Sequence, residues 1–175
     1  ITLFNSKYIL SKINTRTDRD DWPCSPHDVN AFYNSTNNEI VFPAGILQEP
    51  FFDPKKSTAY NYGAIGSVIA HEITHGYDDE GAKFDGQGNM TNWWSVTDKA
   101  KFDKLCNGLV DQFNNFSLLG KKVNGELTLG ENMADLGGLT LAFRSALKVD
   151  PDNIKEFFVG FATTWRSKKT DELTL

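Results

Sequence analysis

The chain has 175 residues, 39% hydrophobic and 13% aromatic, enough to bury one ordinary core and to exclude a disordered segment. Its 18 basic and 23 acidic residues leave a net charge of −5 with no basic run, which argues against a nucleic-acid groove or an anionic membrane surface as the main partner. Apolar runs fall far short of the ~20 residues that cross a membrane as a helix, so no membrane contact by this segment is expected.

Residues 1–22 read as a short amphipathic helix with Phe4, Tyr8 and Ile9 on one side, then a charged stretch closed by Trp22-Pro23. The opening is neither a Met nor a charged-then-apolar leader, so the chain is expected to be a piece of something longer. Within about 28–43, two strands at 29–33 and 39–43 flank the turn-rich 34–38, and Pro43 suits a strand end. A free strand edge can hold an extended peptide by adding it to the sheet. The apolar loop at 44–54 carries Phe51-Phe52, equally a pocket wall or core filler. Helical periodicity then runs from about 60 to 76 through Ile65, Val68, Ile69 and Ile73, with Gly63, Ala64 and Gly66 small enough for close packing. Gly76 and the acidic run 78–80 end it. Asp78 reads as an orienting acid or as part of a solvated turn, and the turn is favoured.

Beyond a Gly-rich loop and Trp93-Trp94, Ser95 with Asp98 three residues on caps a helix whose buried stripe is Phe102, Leu105, Leu109, Val110 and Phe113. A longer helix is expected at about 128–149, and a last one after Asp150-Pro151 with Ile154, Phe157, Phe158, Phe161 and Trp165 inward. Cys24 and Cys106 are compatible with a disulfide, with two free thiols, or with bridges to partners elsewhere. Asn34, Asn89 and Asn115 stand in glycosylation sequons, of which about two are expected by chance.

The chemistry is concentrated in His71-Glu72-Ile73-Thr74-His75. Residues i and i+4 are neighbours on one helical face, so the two imidazoles can converge on one ion while Glu72 stands beside it. Two neutral imidazoles and a carboxylate suit Zn2+, which lowers the pKa of a coordinated water, and Glu72 is then the base that receives its proton. A third ligand is needed. The long pattern with a Gly at 78 and a His at 81 fails, because those positions are Asp78 and Gly81. Glu131, on the later helix, is a candidate, but Thr128 and Glu131 also match a capping box, and spacing leaves both readings open. Asp135, one turn on, favours the ligand reading, because metal-bound imidazoles donate their other N–H to such a carboxylate.

The blocks His71 to His75 and Gly130-Glu131-Asn132-Met133-Ala134-Asp135 resemble the neprilysin and endothelin-converting enzyme family of zinc endopeptidases. The resemblance extends to Val29-Asn30-Ala31-Phe32-Tyr33, Phe42-Pro43-Ala44-Gly45-Ile46-Leu47-Gln48, Asn92-Trp93-Trp94 and Leu136-Gly137-Gly138-Leu139. It implies an α+β, mainly helical, thermolysin-like zinc-peptidase core with a short β-sheet edge, within a single partial catalytic domain over 1–175. It implies His71, His75 and Glu131 as zinc ligands, Glu72 as general base and Asp135 as the acid orienting a ligand histidine. Asn30 and Ala31 match the strand edge that binds peptide backbone. Ile46, Phe51, Val68 and Trp165 match the pocket for a large apolar side chain just after the scissile bond, although spacing alone favours core for each.

Family members continue with an Asp-Pro-His-Ser-like segment and an Arg that stabilise the oxyanion and grip a substrate carbonyl, and they carry a helical lid. None of these is in this chain, and His27 does not match that segment. The resemblance therefore implies a peptide substrate and a missing remainder of the parent chain, with weak or absent hydrolysis by this piece alone. Cys106 resembles a position that in animal members of the family pairs with a cysteine near the C-terminus, which favours an extracellular or membrane-anchored parent, though bacterial members occupy other compartments. The competing expectation is a noncatalytic zinc- or peptide-binding module with the same fold, and the presence of Glu72 speaks against it.

Overall fold

The computed structural model describes residues 2–16, 18 and 20–171. In chain order its elements are α1 (Thr2–Ser11), β1 (Phe32–Asn34), β2 (Glu39–Val41), α2 (Thr58–Gly63), α3 (Ile65–His75), α4 (Val96–Asn114), β3 (Ser117–Leu118), β4 (Lys121–Lys122), α5 (Leu129–Val149) and α6 (Ile154–Thr164). The fold is α+β and mainly helical, as expected. Its strands form two separate antiparallel pairs, β1 with β2 and β3 with β4. Phe32 faces Val41 and Asn34 faces Glu39, so β1 has one paired edge and one free edge among the described residues.

The single helix expected at about 60–76 is two helices. Ser57 starts α2 by accepting the Tyr60 amide, and Ala64, at φ −87° and ψ −102°, breaks the run before α3. The cause lies on α6. A Cβ on Gly63 would stand 1.8 Å from the Phe157 carbonyl oxygen, and one on Gly160 would stand 2.2 Å from that of Tyr60. This reciprocal crossing commits α2 to the direction of α6, while α3 follows α5. The Ile65 amide at the break donates to the Phe51 carbonyl at 2.8 Å, which ties the 44–54 loop to the start of α3.

A second close crossing positions the site. A Cβ on Gly138 would come within 2.6 Å of the His71 amide nitrogen, and one on Gly137 within 2.6 Å of Thr74 Cγ2. Glycine at both positions brings α5 against α3 almost backbone to backbone. Ala70, Ala142, Ala146 and Phe157 fill the core behind that crossing, with Tyr62, Leu139, Phe143 and Ile154 packed on it. A second cluster, Ala31, Ile46, Ile65 and Val68 with Phe42 and Phe51, joins β1 and the loop to α3.

Several expected faces differ. α1 is a helix, but Leu3, Phe4, Tyr8, Ile9 and Leu10 are all exposed and it buries nothing, because its apolar residues surround the axis instead of forming a stripe. On α4 the buried residue is Cys106, whose thiol meets the Met133 sulfur of α5 at 3.8 Å, while Leu105 is 76% exposed. α6 turns Phe157, Gly160 and Thr164 inward to meet α2, which leaves Phe158 and Trp165 about half exposed. Cys24 and Cys106 are both free thiols, so they do not bridge each other.

Candidate metal centre

The last two turns of α3 present His71 and His75 on the face toward α5, and their Nε2 atoms lie 2.9 Å apart. Each ring is held from behind. Asp135 Oδ1 of α5 sits 2.9 Å from His71 Nδ1, and Asp78 Oδ2, in the turn after α3, sits 2.7 Å from His75 Nδ1. With both Nδ1 atoms donating to carboxylates, the two Nε2 atoms face each other as lone pairs, which requires a proton or a metal cation between them.

Two carboxylates compete for the remaining place. Glu72 groups with the histidines at up to 4.8 Å between donor atoms, whereas Glu131 Oε2 stands 3.4 Å from His71 Nε2 and 3.9 Å from His75 Nε2. Metal–donor distances of about 2.0–2.2 Å in a tetrahedral shell put donors roughly 3.3–3.5 Å apart. His71 and Glu131 meet that spacing at 3.4 Å, while the two histidines, at 2.9 Å, and His75 with Glu131, at 3.9 Å, fall on either side of it, so these three are the candidate ligands and Glu72 stands beside them. The capping alternative for Glu131 does not form: Thr128 makes no side-chain cap, its hydroxyl instead donating to the Asn124 carbonyl and accepting from Asn132 Nδ2.

The charges follow from burial and partners. Burial pushes the Glu72 carboxyl above its ordinary range, although the adjacent histidines pull the other way. The hydrogen bond to Asp78 raises His75 against the opposing effect of burial. Burial pushes Asp78 up as well, but its bonds with His75 and the Gly81 and Glu80 amides outweigh that and hold it below the usual carboxylate range. At 5% exposure Asp78 is no solvated turn. Its signal in sequence was an acid three residues after a histidine at a helix end. Its burial comes from Gly81, where a Cβ would stand 1.9 Å from the His75 carbonyl oxygen as the chain folds back on α3.

All the remaining candidates line one cleft of about 750 Å3 around this centre: Asn30 and Ala31, leading into β1, and Ile46, Phe51, Val68 and Trp165. That volume is in the usual range for a ligand site. His27 lies elsewhere, its side chain 87% exposed and facing Asp28. Among the described residues no helix is long and apolar enough to cross a membrane.

Residues 30–175 match the model of peptidase family M13. An endothelin-converting enzyme homolog of Locusta migratoria is 40% identical over 185 residues, spanning 98% of this chain and 25% of the relative. The neutral endopeptidase of Lactobacillus helveticus is 42% identical over 167 residues, 95% of this chain and 26% of the relative. Among solved structures, the Mycobacterium tuberculosis zinc metalloprotease ZMP1 in complex with inhibitor superposes with a TM-score of 0.88 at 43% identity, over 94% of this chain and 28% of that one. The chain thus spans about a quarter of the length of the curated relatives it matches.

Proposed function

The chain belongs to peptidase family M13, and from that premise we propose that it is the metal- and substrate-binding part of a zinc endopeptidase that cuts short peptides on the amino side of large hydrophobic residues. The observation that carries this reading is the convergence of His71 Nε2, His75 Nε2 and Glu131 Oε2 within 3.9 Å, inside a cleft with an apolar end and a free strand edge. Zinc held there would supply Lewis acidity toward the attacking water and the scissile carbonyl.

The chain's own residues do the rest. Asp135 and Asp78 keep both Nδ1 atoms protonated and both Nε2 lone pairs turned to the site, so they are positioning residues. Glu72, buried and with its carboxyl pushed above its ordinary range by that burial, takes a proton from the attacking water and passes it to the leaving amine nitrogen. Asn30 and Ala31 hold the peptide backbone, and Ile46, Phe51, Val68 and Trp165 receive the side chain after the cut bond. Among the described residues the cleft lining includes no histidine beyond the pair and no Lys or Arg, so none of them offers a cationic donor to the developing oxyanion. Absence of one such donor typically lowers turnover by about 10²–10³, and hydrolysis by this chain alone is expected to be correspondingly weak.

A zinc titration tests the ligand set: Glu131→Ala lowers affinity if Glu131 is a ligand, and unchanged affinity refutes the assignment. Cleavage of a phenylalanine-containing peptide, abolished by Glu72→Gln, tests the chemistry.

A further inference from the structure

The cleft runs along α3, and its walls change character from one end to the other. At the Val68 end they are apolar, with Ile46, Phe51 and Ala31 in the same packed cluster as Val68. Past His75 they are Tyr33, Ser35, Glu80 and Gly81. Tyr33 is fixed there by Gly76, the residue after α3, whose Cβ position would lie 3.3 Å from the Tyr33 hydroxyl. β1 therefore runs in the same sense as α3, from Ala31 beside Val68 to Tyr33 beside Gly76.

Among the described residues five carboxylates line the cleft, Glu72, Asp78, Glu80, Glu131 and Asp135, and neither a Lys nor an Arg does. Four of them belong to the metal centre. Glu80 does not: its side chain is 74% exposed and makes an i,i+3 pair with Lys83 at 2.5 Å. Exposed pairs of this kind are weak, so a better-placed cation can take the carboxylate.

A peptide added antiparallel to the free edge of β1, the commoner pairing, runs in its own N-to-C sense from the Glu80 end toward the Val68 end. The proposed function seats the residue after the cut bond in the apolar pocket. Strand side chains alternate, so the residue two positions earlier points to the same side, roughly 6.6 Å back toward Glu80. We infer that Glu80 is a specificity determinant that selects a cationic side chain, Lys or Arg, at the second position on the amino side of the cut bond. This rests on the peptidase reading above.

The test measures binding of labelled short peptides by fluorescence anisotropy to the zinc-loaded chain carrying Glu72→Gln, so that none is cut. The peptides vary two places: Phe or Gly in the pocket position, and Lys, Gln or Glu two residues before it. The Lys peptide should bind about fivefold more tightly than the Gln peptide at low salt, the upper range for an exposed pair, with the difference shrinking as salt rises. Glu80→Gln should erase that difference, Glu80→Lys should reverse it in favour of the Glu peptide, and Lys83→Ala should enlarge it. If Phe is preferred over Gly but Lys and Gln peptides bind alike, the Glu80 inference falls and the peptidase reading stands. If Phe and Gly peptides also bind alike, both fall.

Discussion

Asp78 and Asp135 perform matching tasks from different places, one in the turn that closes α3 and one on α5. Replacing Asp78 by Asn should lower zinc affinity about 10- to 100-fold, as losses of such outer partners do, which competition with a chromophoric chelator would measure. In the metal-free chain the same substitution should change the pH dependence of stability. His75 is raised above 6.5, so its contribution is full below 6.5 and is lost as pH rises through the raised value. Asp78 is depressed below 3.8, so its contribution is present above 3.8 and is lost as pH falls through the depressed value. Asp78→Asn removes both edges of that window. Glu72 has the opposite sign. Its raised carboxyl opposes folding once pH climbs above 4.5, so Glu72→Gln should raise the Tm of the metal-free chain at pH 7, with the gain closing as pH drops below 4.5.

At the scale of elements, the site depends on how near α5 can come to α3. Gly138→Ala places a methyl 2.6 Å from the His71 amide and should cost about 1–3 kcal/mol by overpacking, with zinc affinity falling in parallel because Glu131 and Asp135 move with the helix. Urea unfolding and a zinc titration on the same variant would show whether the two losses travel together. What could be read from sequence divides along this line. The histidine spacing is local to one helix, so His71, His75 and Glu72 were legible at once, as was the Ser95 cap on α4. The break at Ala64 was not, because it is imposed by Phe157 more than ninety positions away. Asp78 looked like surface until the chain's return through Gly81 buried it. The Thr128 capping pattern was legible and misleading, since its hydroxyl bonds to Asn124 and Asn132 instead.

For the whole molecule, the accessible surface is 12,445 Å2, whereas a compact monomer of 19.6 kDa exposes roughly 8,600 Å2. Part of the excess is apolar: Ile69, Ile73 and Leu141 edge a groove on α3 and α5, and Leu136 is 61% exposed. Patches of that kind ordinarily have a partner. The isolated chain should therefore bind a hydrophobic dye while keeping its far-UV helical signal, and should associate with rising concentration in sedimentation velocity. A dye-silent monomer would mean that these faces close on one another in solution.

The side chains of the candidate centre are unequally sheltered, with His71 and His75 15% and 18% exposed and Glu131 and its neighbour Asp135 70% and 67%. With zinc bound there as proposed, an incoming chelator would approach from the α5 side and take hold of the ion before the histidines release it. Stripping should then be associative, its rate rising in proportion to chelator concentration instead of levelling at a spontaneous release rate. Stopped-flow traces over a range of chelator concentrations would separate these two laws.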